Sequence, residues 1–222
     1  MTQSTFSRGA LEREIDNLIE YQAFIEEQLE RAASADFNET RKWLSESHEY
    51  GEQTDADVEY YDEHYQYLSP YVTVFPRCLW YSFVVLVYLV FESEVGRLCD
   101  EINRRRDIRV RLNDLKGDLL SRCKTYLEKL GGLNVVSADL WEKLEDLSKI
   151  RNCIVHTAGR YERSNDKKRL QYLAGRVDGL TVDEDDIPEE SLLMIGPEYC
   201  KAVVQDVRRF FQVVLDGAGI SP

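Results

Sequence analysis

The 222-residue chain lacks any C-x-x-C pair: its five cysteines, Cys78, Cys99, Cys123, Cys153 and Cys200, are scattered and odd in number. That argues against a zinc site and a disulfide framework and suits a reducing cytosol, so a cytoplasmic location is expected. No Pro- or Gly-rich linker and no internal repeat break the chain. The first residues, MTQSTFSRGALEREID, have no apolar core, and no signal peptide is expected. The apolar run at 79–91 (LWYSFVVLVYLVF) is too short to span a bilayer and is closed by Glu92 and Glu94. It reads as the central helix of a soluble bundle, apolar all round because neighbours surround it. No Gly-rich phosphate loop, Ser–His–Asp set or His/Cys cluster is present, so neither a cofactor nor a metal is expected. His48 and His64 sit among acids and read as surface residues.

What is abundant is negative charge. The net charge is −13, which alone would argue against nucleic acid. Its distribution alters that reading. Residues 1–70 hold 17 acids and 5 bases, a net of −12, and the rest of the chain is close to neutral. Within the neutral part, bases gather twice: Arg104, Arg105, Arg106, Arg109, Arg111, Lys116, Arg122 and Lys124, then Arg160, Arg163, Lys167, Lys168, Arg169 and Arg176. Two readings stay open: solvated helix faces and a loop, or a phosphate-binding rim.

The apolar spacing predicts an all-α bundle of about six helices. Leu11, Ile15, Leu18, Ile25, Leu29 and Ala32 give a heptad-like first helix with Gln22 on its stripe, and a Tyr- and acid-rich companion is expected over about 38–67. Together they form an acidic arm, 1–70, set apart from a bundle at 71–222. After Pro70 and Pro76 a long helix runs to about Asn103. A fourth helix is capped by Asn113 and stopped by Gly131 and Gly132. Ser137 opens a fifth, which Gly159 ends. A short β or irregular insertion follows, with a turn at Asp178–Gly179 and a strand candidate, LLMI, at 192–195. Pro197 starts the last helix, whose inner face is Tyr199, Val203, Val207, Phe210, Phe211 and Val214.

The fifth helix carries the chemistry. Leu140, Leu144, Leu147, Ile154 and Ala158 make one apolar stripe, and Arg151 falls where that stripe should hold a hydrophobe. A guanidinium is costly to bury unless it is paired or faces a wet cleft. Asn152 and His156, four residues apart, share the adjoining face. Arginine, amide and imidazole at one helix end suit the handling of a phosphate. Arginine offers a planar, permanently charged fork, and imidazole exchanges protons in the neutral range.

This segment, Arg151-Asn152-Cys153-Ile154-Val155-His156, resembles the Arg-x4-His motif of HEPN domains (higher eukaryotes and prokaryotes nucleotide-binding). The likeness covers roughly residues 71–216. It implies an all-α, metal-independent endoribonuclease with Arg151, Asn152 and His156 as its catalytic residues, RNA as substrate, and a composite site in a homodimer. It further implies a prokaryotic toxin or antiviral-defence effector, with an antitoxin or defence-system protein as a possible partner. A catalytically silent HEPN module that binds RNA, a nucleotide or a protein is the alternative. On this reading Arg104, Arg105, Arg106, Arg160, Lys167, Lys168 and Arg169 form the RNA-binding rim. The family's modified tyrosine, two residues after the histidine, is replaced here by Ala158. An acidic residue from an earlier helix serves some relatives, and Glu92 or Glu94 could take that place.

Overall fold

The computed structural model describes residues 6–49, 59–62, 64–65, 69–184 and 187–220. Its helices are α1 (Arg8–Glu49), α2 (Pro70–Arg106), α3 (Leu119–Thr125), α4 (Ala138–Thr157), α5 (Lys167–Ala174) and α6 (Pro197–Gly217), and residues 59–62 and 64–65 are helical too. One antiparallel hairpin, β1 (Leu180–Asp183) with β2 (Leu192–Ile195), precedes α6 and pairs Leu180 with Ile195 and Asp183 with Leu192. The all-α bundle with a small β insertion is therefore present, with α5 as a helix that the mixed pattern after the motif had hidden.

Local chemistry explains most boundaries. Ser69 caps α2 by accepting the Tyr71 amide, and Pro70 needs no partner at the first helical position. Ser137 caps α4 through the Leu140 amide, and Ala158 and Gly159 end it with positive φ. Gly131 donates to the Tyr126 carbonyl, closing a π turn over Tyr126–Leu130 before Gly132 turns the chain at φ 60°.

Two boundaries differ from expectation. α3 is capped not by Asn113 but by Asp118, whose carboxylate accepts the Ser121 amide at 2.9 Å and hydroxyl at 2.7 Å. Gly117, at φ 112°, breaks the chain just before it, and Asn113 lies in a separate 3-10 turn at Leu112–Asp114. The first helix does not stop near Ala32. With neither glycine nor proline between Gly9 and Gly51, nothing ends it near Ala32, and α1 takes in residues 38–49 of its expected companion. The middle of that companion lies outside the described residues.

The core joins α1, α2, α4 and α6. Phe91 meets Phe210 and Phe211 with ring centroids 5.3 and 5.9 Å apart, and Trp141 meets Phe210 at 5.5 Å. Each such ring contributes about 1.5–3 kcal/mol by leaving water. Leu11, Ile15, Leu18 and Ile25 are buried in the same core. The first half of α1 thus packs into the bundle, and a cut at residue 70 does not separate two cores. Its acids are met by α6: Asp16 pairs with Arg208, and Glu26 with Lys201 at 3.3 Å. Buried Gln22 donates to the Pro197 carbonyl at 3.0 Å.

The central helix is not surrounded. Its buried side carries Phe83, Val84, Val87, Phe91, Val95 and Leu98, while Phe75, Leu86 and Leu89 are exposed. Among the described residues α2 is the one helix long and apolar enough to cross a membrane, judged by length and composition alone.

Candidate active site

α2 and α4 run antiparallel beside each other. The Tyr88 hydroxyl lies 3.4 Å from Ser148 Oγ, and farther along Tyr81 lies against Gly159. Between these contacts sits Arg151. Ile150 and Cys153, both fully buried, take the inward positions of α4 in this turn. Arg151 therefore lies half-buried at the edge of the stripe rather than on it. Its guanidinium carbon is 5.3 Å from the Tyr88 ring centroid, and Nη1 donates to Asn152 Oδ1 at 3.0 Å. Nε is buried without an acceptor, and no carboxylate of the described residues pairs with the group. The aromatic face and the amide hold a cation in place without neutralising it.

His156 lies in the last turn of α4 and is exposed, where the helix C-terminus favours positive charge. Five residues along a regular helix is about 500°, so Arg151 and His156 diverge by about 140°. One chain does not bring them together. Asn152 stands beside Arg151, with its oxygen engaged by the arginine. Cys153 faces the core, and burial pushes its thiol up, so it remains protonated.

The two acidic candidates separate by geometry. Glu92, four residues past Tyr88, is exposed on the same face of α2; burial raises the Tyr88 phenol, Glu92 adds to that rise, and Ser148 and Arg151 oppose it. Glu94 is turned away from Tyr88 by about 120° around the helix. It is buried and accepts Arg97 at 2.8 Å.

Tyr88 and Ser148 are the site residues the sequence does not announce. Tyr88 sits in the apolar run, and its polar tip four residues before Glu92 is the only local signal. At the other end of the site, the Tyr81 hydroxyl donates to the Leu193 carbonyl and Leu193 donates to the Gly159 carbonyl at 2.9 Å, fixing β2 to the end of α4. Burial raises the Tyr81 phenol well above its ordinary range.

The expected rim is dispersed and largely paired. Arg104 and Arg105 both bind buried Glu101, each at 2.6 Å, and Arg106 donates to the Gly131 carbonyl. These three lie 16–18 residues past Tyr88 on α2, about 24–27 Å along the axis. Arg160 and Arg163 share Glu190, Lys167 binds Glu162 at 3.3 Å, and Arg169 binds Asp146 and Glu142. Lys168 is exposed and makes no ion pair among the described residues. His64 stacks on Tyr60 at 4.2 Å, and the side chain of His48 lies outside the described residues. Among the described residues, no group of three or more His, Cys, Asp or Glu is placed to hold a metal ion. No family model, no curated protein and no solved structure matches the chain.

Proposed function

We propose that this protein is an endoribonuclease of HEPN type that works without a metal and completes its site from two copies of the chain. The observation that carries the reading is Arg151: a half-buried guanidinium held over Tyr88 and by Asn152, with no carboxylate partner among the described residues, one turn and a half before an exposed His156. Such a cation is stabilised best by an anion from outside the chain.

In the proposed reaction the 2′-hydroxyl of RNA attacks the adjacent phosphorus. A 2′-oxygen–phosphorus bond forms and the phosphorus–5′-oxygen bond breaks, leaving a 2′,3′-cyclic phosphate and a 5′-hydroxyl. Arg151 stabilises the charge gathered on the phosphorane. His156 of one copy accepts the 2′-hydroxyl proton, and the second copy's imidazole protonates the leaving oxygen. Asn152 positions the guanidinium. The exposed Leu86 and Leu89 on α2, with Val155 on α4, supply an apolar face beside the motif for the second copy.

The test is purified protein with mixed RNA in EDTA. Cleavage is expected, and Arg151→Ala and His156→Ala should each abolish it while circular dichroism is unchanged. An all-deoxy strand should survive, since it lacks the 2′-hydroxyl. Undiminished cutting by the double variant would remove the assignment. A silent RNA- or protein-binding module is the second reading, favoured by the ion pairs that engage Arg104, Arg105, Arg160, Arg163 and Arg169.

A further inference from the structure

With most of the expected rim paired to carboxylates, and Arg106 and Lys168 the exceptions, further unpaired positive charge lies elsewhere. Arg109, Arg111, Lys116, Lys124 and Lys129 are all exposed, and none makes an ion pair among the described residues. Three of them sit on the connection between α2 and α3, residues 107–118. The route of this strap gives them their significance.

Asp107 leaves α2 in the left-handed region at φ 50° and reverses the chain. Asn103 then donates from Nδ2 to the carbonyls of Ile108 and Val110, laying the strap back along the helix it has just left. Leu112 is buried and anchors it, and Arg122 donates to Asn113 at 3.2 Å. α3 next runs parallel to α2, since the Tyr126 hydroxyl donates to the Cys99 carbonyl at 3.2 Å and Arg106 reaches Gly131. Asp118 precedes Tyr126 by eight residues and so lies about 12 Å back from the level of Cys99. Tyr88 lies about 16 Å back from Cys99 on the same count. The strap therefore ends near the level of Tyr88, and the charge of Asp118 is felt at the Tyr88 phenol.

The opposite flank agrees. Lys124 sits 5.8 Å over the Trp141 ring in the first turn of α4, and Arg151 is ten residues, about 15 Å, farther along that helix. Of the strap's three acids, Asp114 and Asp118 are engaged with backbone amides, and Asp107 is exposed at its start. Asp114 accepts the Arg111 amide at 2.8 Å, and Asp118 caps α3. The strap's three cations are matched in number by its three carboxylates, yet none of the three makes an ion pair among the described residues and all face solvent.

We propose that the strap is the track along which a single RNA strand approaches Arg151, with Arg109, Arg111 and Lys116 holding its phosphates. The inference rests on the ribonuclease reading and assigns the substrate-binding residues of the same site. From the level of Arg106 to that of Tyr88 the track measures about 27 Å, matching about eight stacked nucleotides at about 3.4 Å each.

The experiment uses the full chain carrying His156→Ala, a single-stranded RNA of about 12 nucleotides and fluorescence anisotropy across a potassium chloride series. Adding Arg109→Gln, Arg111→Gln and Lys116→Gln should weaken binding at least tenfold. It should also flatten the slope of log affinity against log salt by about 2, at about 0.7 per lost phosphate contact on a single strand. The three side chains are exposed, so the thermal midpoint should not move. Unchanged affinity and slope overturn the track, as does a loss of slope confined to an Arg160→Gln/Arg163→Gln variant. Binding of poly-glutamate through the strap in place of RNA also overturns it, making the partner an acidic protein. If the parent binds RNA through the strap but the wild type never cuts in EDTA, the nuclease reading fails and the track stands. If the wild type cuts and the same three substitutions made with His156 intact leave both binding and cutting unchanged, the track fails and the nuclease reading stands.

Discussion

Arg151 and Tyr88 are 63 residues apart in sequence, and the guanidinium carbon of one lies 5.3 Å from the ring centroid of the other. The hydroxyl of the same ring lies 3.4 Å from Oγ of Ser148, three residues before Arg151 on α4. One aromatic side chain thus seats the arginine and fixes the helix that carries it.

Tyr88→Phe keeps the ring face and loses only the long contact to Ser148. Cleavage of RNA by this variant should stay within a few-fold of the parent. Tyr88→Leu removes the face, worth about 0.5–2 kcal/mol to a partly desolvated cation. Its kcat/KM should fall about tenfold, since 1.36 kcal/mol is a factor of ten. Equal kinetics for the phenylalanine and leucine variants would show that the ring does not position Arg151.

What the sequence makes legible here is local. Ser137, the Gly131–Gly132 pair and Pro197 act within a turn of the residues they cap or stop, and all three act as read. Asn113 misled because an asparagine before an apolar run carries the same local signal as Asp118 in that place. Only the positive φ of Gly117 separates the two. Arg151 was legible as an anomaly on an apolar stripe. Its seat on Tyr88 was not, because that contact depends on how α2 lies against α4. The pairing of the basic clusters was equally hidden. Arg104 and Glu101 are three apart on one helix, but Arg160 reaches Glu190 across a hairpin.

Gly159→Ala should be strongly destabilising. The residue has φ 84°, and a Cβ there would overlap the Tyr81 side chain that anchors β2 through Leu193. Left-handed strain alone costs about 1–3 kcal/mol, and the overlap adds to it. Urea denaturation should show a loss of at least about 2 kcal/mol relative to the parent. A second variant, Gly159→Ala with Tyr81→Ala, relieves the overlap and keeps the φ strain. If the single variant is as stable as the parent, the packing of Tyr81 on the end of α4 is wrong.

Glu101 sets a pH dependence of stability. Hydrogen bonds from Arg104, then Arg105, hold its carboxyl below the ordinary range against the opposing effect of burial. A depressed folded value means the stabilisation is complete above the unfolded value, about 4.3 for a glutamate, and is lost as pH falls through the folded one. The parent should therefore lose stability on acidification below about pH 4.3 more steeply than Glu101→Gln. At neutral pH the glutamine variant should be destabilised by about 1 kcal/mol, a modest figure because both arginines are screened by water. Parallel curves of stability against pH for the two proteins would exclude a role for this pair.

The last prediction concerns the uncovered face of α2. Leu86 and Leu89 are 37% and 47% exposed, and Val155, one residue before His156, is 48% exposed. Three large apolar side chains left in water beside an unneutralised arginine suit a surface that a second copy covers. Light scattering at micromolar concentration should give twice the 25.9 kDa chain mass. Leu86→Glu with Leu89→Glu should give the monomer, fully helical and without cleavage. The divergence of Arg151 and His156 on one helix sharpens the test. A working pair of the two must come from different copies, so Arg151→Ala and His156→Ala proteins, each inactive alone, should recover slow cleavage when mixed and allowed to exchange subunits, the one imidazole left in the mixed dimer acting as base while water protonates the leaving oxygen. The same mixture made in the Leu86→Glu/Leu89→Glu background should stay inactive. A monomer that still cuts RNA, or a mixture of exchanged subunits that never does, would refute the composite site and leave Arg151 without its imidazole.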